Sequence, residues 1–176
     1  PNDVVALDAK KDFRLDKLTG ATLYFTPADS AARAGLDSHW ARLTGRHPGK
    51  PHTLEFKGRK LIAPTASMGV ARFSFAELCE QPLGTLDYLH IAHAFHTVIV
   101  DGIPMLGPDR RDLSRRFINL IDTLYDNRIC LIVSAEAGPS NLYRPGLGAE
   151  LFERTASRLV EMRSEAYLAK HSGNRS

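Results

Sequence analysis

Two apolar runs in the middle of the chain each end in oxygen-bearing side chains. Thr97-Val98-Ile99-Val100 leads into Asp101 and Gly102, and Ile129-Cys130-Leu131-Ile132-Val133 leads into Ser134, Ala135 and Glu136. A carboxylate closing one buried strand and a small hydroxyl residue closing the next is how phosphoryl-transfer sites hold Mg²⁺ and sense a γ-phosphate. In open α/β sheets, ligands lie beyond the carboxyl ends of the strands, where these residues fall. Strand-end acids are also common where nothing binds, so Asp101, Ser134 and Glu136 are candidates on position alone.

Three further groups carry chemical potential. Arg154 and Arg158 are four residues apart, so both guanidinium groups project from one helix face, an arrangement suited to a phosphate or a carboxylate. Solvated arginines in ordinary salt bridges have the same spacing. His90 and His93 are one helical turn apart and share a face that would suit a metal, but His96 falls at the helix end and no Asp, Glu or Cys completes the set. Gly45-Arg-His-Pro-Gly-Lys-Pro51 invites a phosphate-loop reading and fails it: three residues rather than four separate the first Gly from Gly-Lys, and Pro51 stands where Ser or Thr should bind Mg²⁺. Trp40 lies on an apolar stripe and reads as a core or docking residue.

The elements that must position these groups are legible from periodicity. Leu113, Phe117, Leu120, Ile121 and Leu124 make one apolar stripe between the two strands, with Arg111, Arg115, Asn119 and Asp122 opposite. Strand, helix and strand over Thr97 to Glu136 make a βαβ unit of a parallel sheet. Upstream, Asp3–Leu7 and Ala21–Phe25 are strand candidates, the second stopped by Pro27. Asp29 is a plausible N-cap for a helix carrying Ala32, Leu36, Trp40 and Leu43 and closed by Gly45. Lys57-Gly58 joins two alternating runs as a hairpin. Ala71–Phe75 adds a strand candidate, Ser74 and Glu77 have capping-box spacing, and a further helix runs from Thr85 or Asp87 to Phe95. The last helix, about Ala149 to Met162, carries Leu151, Thr155, Leu159 and Met162 on one stripe, and Lys170–Ser176 reads as a frayed tail. These elements divide into a small α+β lobe over 1–66, an α/β region over 67–168 and a tail over 169–176.

The chain has 176 residues, 43% apolar and 24% charged, ordinary for a globular protein with a real core. Its net charge of +3 comes from basic residues spread along the chain, which argues against nucleic-acid binding. No apolar run is long enough to span a membrane as a helix. Cys79 and Cys130 read as unpaired thiols of a reducing compartment. Pro1 in place of an initiator Met suggests the C-terminal portion of a longer chain, or a processed or trimmed one.

Several stretches occur in an order that resembles one family. They are Val70-Ala-Arg-Phe-Ser-Phe-Ala-Glu-Leu-Cys79, Asp87-Tyr88, Phe95-His96-Thr97-Val98, Ile103-Pro104, Arg115-Arg116-Phe117-Ile118-Asn-Leu-Ile-Asp122, Ser134-Ala135-Glu136 and Arg154-Thr-Ala-Ser-Arg158-Leu-Val-Glu-Met162. Together they resemble the C-terminal half of the ZapE family, AAA-type ATPases of bacterial cell division with mitochondrial relatives. Asp3-Val-Val-Ala-Leu-Asp8 and Asp12-Phe-Arg-Leu15 are similar to the segment following that family's first sensor strand.

The resemblance implies a P-loop NTPase-like, three-layer α/β fold. It implies ATP hydrolysis with Mg²⁺ coupled to remodelling of a protein partner, the division-ring tubulin homologue in bacteria, and a homo-oligomer. The compartment it implies is the bacterial cytoplasm, or the mitochondrion in a eukaryote. It also implies that the phosphate loop, the Mg²⁺ acids and the first sensor precede Pro1, so that Asp101 and Ser134 only look like those groups and this stretch alone is inactive. Arg154 and Arg158 match the arginines of the family's last helix, where one would contact an ATP phosphate as a second sensor. The chain departs from the family's pattern at Arg144–Gly148. The competing reading is a non-catalytic protein-interaction module.

Overall fold

A computed structural model describes Leu18 and residues 20–174, with side chains as far as residue 169; the strand candidate at Asp3–Leu7 and the Asp12–Leu15 segment lie outside the described residues. Among the described residues, six strands form one sheet in the order β1-β6-β5-β4-β3-β2. They are β1 (Tyr24–Phe25), β2 (Lys50–Phe56), β3 (Arg59–Ser67), β4 (Val70–Ser74), β5 (Thr97–Ile103) and β6 (Cys130–Ala135). Strands β1, β6, β5 and β4 are mutually parallel, and β3 and β2 add two antiparallel strands at one edge. The βαβ unit is therefore a parallel portion inside a mixed sheet.

The hairpins form because their turns suit the twist of paired strands. Lys57 and Gly58 both have positive φ, 47° and 76°, as a type I′ turn requires. Met68 and Gly69 repeat the geometry at 52° and 79° and join β3 to β4, a second hairpin that the sequence reading missed. The boundary expected at residue 66 thus falls inside β3, and the hairpin strands continue the sheet instead of standing apart from it.

Side chains alternate across the central strands and build a core on each face. Ala71, Phe73, Val98, Val100, Leu131 and Val133 point to one side, and Val70, Ile99, Cys130 and Ile132 to the other. Helix α1 (Ser30–Thr44) covers the second side, capped by the Asp29 carboxylate, which accepts from the Ala32 N–H, and closed by Gly45 in the left-handed region. The first side is covered by α2 (Phe75–Cys79), α3 (Thr85–Ala94), α4 (Arg111–Asp126) and α5 (Ala149–Glu161). The result is a three-layer α/β fold. Ser74 and Glu77 form the expected capping box at the start of α2, and Phe117, Leu120, Ile121 and Leu124 of α4 are fully buried.

Two expectations near the C-terminus need correction. Helix α5 turns Phe152 inward with Thr155, Leu159 and Met162, whereas Leu151 is 59% exposed. A further helix, α6 (Glu165–Asn174), continues where a tail was expected from 169. Its Tyr167 is buried and donates to the Ile129 carbonyl at 2.7 Å, and Leu168 joins the core under α1.

Candidate functional site

Arg72 stands on the α1 face of β4, in register between Val70 and Ser74, and lies across the carboxyl end of β5. Its Nε and Nη2 both donate to Asp101, each at 2.8 Å, in the bidentate fork that matches a carboxylate, and Nη1 donates to Asp37 of α1 at 2.6 Å. Those bonds raise the already high pKa of the guanidinium, with Asp101 contributing most, so it is a permanent cation clamping sheet to helix. Around this pair opens a cleft of about 800 Å³, lined also by Arg33, Arg46, His47 and Glu77. Asp101 thus serves Arg72. Ser134 lies on the neighbouring strand, where its hydroxyl accepts from the Gly102 N–H at 2.8 Å, and Glu136 is exposed beyond the strand end. Asp101 and Ser134 are thus engaged separately, one by a guanidinium and the other by a backbone N–H, and Glu136 is left exposed.

The two arginines of α5 do converge, and on a residue the sequence reading had placed on the polar face of α4. Asp122 accepts from Arg154 Nη2 at 3.0 Å through one oxygen and from Arg158 Nη1 through the other. Arg158 also lies over the Tyr125 ring, 4.7 Å from its centroid, and is 22% exposed, whereas Arg154 is 59% exposed. One carboxylate shared by two guanidinium groups leaves this triad with one net positive charge. It forms where α4 packs on α5, an approach of residues more than thirty apart that helical periodicity alone does not reveal.

The remaining candidates other than His93 have structural occupations. His90 stacks on Phe56 of the first hairpin with centroids 3.7 Å apart, so it fastens the hairpin to α3 beside the Arg59–Asp87 ion pair. His93 is exposed, and His96 contacts the Met68 carbonyl and the Thr97 hydroxyl beneath the second hairpin turn. Among the described residues no group of three His, Cys, Asp or Glu side chains is placed to hold a metal ion. Trp40 packs in the core under α1 and donates its indole N–H to the His47 carbonyl, bracing the Gly45–Pro51 loop. Cys79 and Cys130 are buried and form no disulfide, and burial pushes the Cys79 thiol up to about 12, which keeps it protonated and unreactive.

A Mg²⁺-nucleotide site needs a phosphate cradle and free carboxylates. Asp101 is held by Arg72, Asp122 is held by two arginines, and the Gly45–Pro51 loop runs into β2 rather than a helix. The described residues therefore do not fit Mg²⁺-ATP on their own.

The sheet with helices on both faces defines the class, a three-layer α/β protein consistent with a P-loop NTPase-like fold. The profile described as AFG1-like ATPase matches residues 2–171, and the chain belongs to that family. It is 36% identical over 172 residues to the cell division protein ZapE of Escherichia coli (strain K12), covering 96% of this chain and 45% of that protein. It is 32% identical over 208 residues to lactation elevated protein 1 homolog B of Danio rerio, covering 98% of this chain and 41% of that protein. An uncharacterized protein of Schizosaccharomyces pombe is 34% identical over 166 residues, covering 93% of this chain and 36% of its own. The chain thus spans less than half the length of these relatives. No solved structure matches it. No helix among the described residues is long and apolar enough to cross a membrane.

Proposed function

We propose that this chain is the C-terminal region of an ATPase that hydrolyses ATP with Mg²⁺ and uses the cycle to remodel a protein partner. The observation that carries the reading is the AFG1-like match over residues 2–171. The similarity to a cell division protein supports the division-ring tubulin homologue as the partner in a bacterium, acted on in the cytoplasm by an oligomer of the ATPase; a eukaryotic version would act in the mitochondrion. The phosphate loop and Mg²⁺ acids lie outside this stretch, which is inactive alone.

Its contribution to the nucleotide is the Arg154–Arg158 pair. Because Asp122 is divided between two cations, an arriving phosphate oxygen takes one guanidinium without stranding the carboxylate. Arg154, the more exposed, is the one that reaches. The test is ATP turnover by a protein extended to the length of its relatives, comparing Arg154→Ala and Arg158→Ala with the parent. Loss of a charge-assisted phosphate contact of about 1.5–3 kcal/mol corresponds to roughly ten- to hundredfold in KM or kcat for at least one variant. Unchanged turnover and KM in both would remove the second-sensor role.

A further inference from the structure

The loop between β6 and α5 displays an apolar side chain instead of hiding it. Leu147 is 77% exposed, and Leu151, in the first turn of α5, is 59% exposed. Neither exposure results from a slack loop. The Tyr143 hydroxyl donates to the Leu147 carbonyl at 2.6 Å, the Ala149 N–H donates to the Gly146 carbonyl, and Arg144 pairs with Asp109 at 3.3 Å. Gly148 sits at φ +94°, and a Cβ there would come within 2.4 Å of the Tyr143 hydroxyl oxygen, so only glycine permits the arrangement. The conformation is built, and it holds Leu147 beside an apolar groove of about 200 Å³ floored by Pro108, Ile118, Tyr143 and Leu151.

The rim of that groove is cationic. Arg111 and Arg115 line it, one turn apart on the helix face that also carries Ser114 and Ile118, and no carboxylate lines it. Arg115 pairs with exposed Asp112 at 2.8 Å. Arg110 and Arg111 occupy the N-cap and first position of α4, with no side-chain cap. Cations there oppose the positive end of the helix dipole, where a carboxylate is favoured. Asp112 in the same first turn offsets part of that charge and pairs with Arg115, so Arg111 is the rim cation that an acidic visitor meets without a carboxylate partner among the described residues.

The geometry points to a docking site for a protein segment that places one leucine- or phenylalanine-sized side chain between Leu147, Leu151 and Ile118 and flanking Asp or Glu carboxylates on Arg111 and Arg115. This identifies the kind of partner segment that the proposed function requires, and it rests on that reading only for the existence of a partner. Docking needs no nucleotide, so it can be tested apart from ATP hydrolysis.

The test is selection of a random peptide display library on this chain without nucleotide, followed by fluorescence titration of the best labelled peptide. Enriched sequences should combine an aromatic or aliphatic residue with neighbouring acids. L147S/L151S should weaken binding at least tenfold, and R111E/R115E should do the same and abolish its salt dependence. All four positions are exposed, so thermal melts should show both variants folded. Lack of enrichment, enrichment without the acidic and apolar signature, or binding untouched by both double variants overturns the proposal. So does light scattering that shows a dimer dispersed by L147S/L151S, which would make the groove a contact between copies. Enrichment on this chain that disappears on the full-length protein would likewise overturn it, because the groove would then be covered from within. An ATPase failure in the extended protein leaves these outcomes unaffected.

Discussion

Replacing Arg72 with Met removes the cation between β4, β5 and α1 while keeping most of its apolar stem. The two partners it abandons differ in environment: the Asp37 side chain is 61% exposed and that of Asp101 is 27% exposed. The exposed arm contributes about 0–1 kcal/mol, as surface ion pairs do. The bidentate arm is the larger. Stranding one member of a fully buried pair costs about 3–5 kcal/mol, and the partial solvent access of Asp101 reduces this to about 2–3 kcal/mol. Urea denaturation reads the total: with a slope of about 2 kcal/mol per molar, R72M should lower the midpoint by roughly 1–2 M. D37A should move it by less than half as much. Adding D101L to R72M should restore most of the loss, since no charge is then stranded, giving a coupling energy of about 1.5–3 kcal/mol. A loss below about 0.5 kcal/mol in R72M, or D37A costing more than D101N, would show that the Arg72–Asp101 pair does not hold the strand ends to α1.

Two further changes follow from buried polar groups. Thr155 is fully buried on α5 with no hydrogen-bond partner for its hydroxyl, so T155V should stabilise by about 1 kcal/mol and raise Tm by roughly 2–4 °C, while an unchanged or lower Tm would mean the hydroxyl is satisfied. His39 is buried under α1, with Nε2 2.6 Å from the Thr22 carbonyl oxygen, and burial holds its pKa below the ordinary 6.5. The unfolded chain therefore binds this proton more tightly than the folded one: the contribution to stability is fully present above about pH 6.5 and is lost as pH falls through the lower folded value. Urea midpoints between about pH 7.5 and 5 should fall more steeply for the parent than for H39Q, and equal slopes would contradict the assignment.

The elements that were legible in the sequence are those specified by neighbours in the chain. Asp29, Gly45 and the Ser74–Glu77 box act within four residues, and Lys57-Gly58 announces its turn through glycine. Met68-Gly69 has the same backbone geometry and the same glycine, but Pro64-Thr65-Ala66-Ser67 before it lacks apolar alternation, so the second hairpin is not legible. On α5 the inward positions of Thr155, Leu159 and Met162 are legible and only the first differs, because Leu151 and Phe152 are both strongly apolar and the packing of Phe152 against Phe117 and Tyr143 decides between them. Asp122 looked like a solvated residue opposite the α4 stripe, and its role depends on where α5 lands. Arg72 carried a signal that could have been used: a single cation inside the apolar strand Val70–Phe73 needs a carboxylate on the same face, and Asp101 is in the adjacent parallel strand two positions beyond Ile99. Position alone thus singled out Asp101 as a strand-end acid, and only the register of the adjacent strand shows that its partner is Arg72.

The most direct measurement is calorimetric titration of Mg²⁺-ATP into this chain, alongside a protein extended to the length of its relatives. The chain brings one triad with a single net positive charge and no phosphate cradle among its described residues, so the account predicts binding by the extended protein and none by the chain. Binding of Mg²⁺-ATP by this chain alone would contradict it and would direct attention to the Arg72–Asp101 cleft.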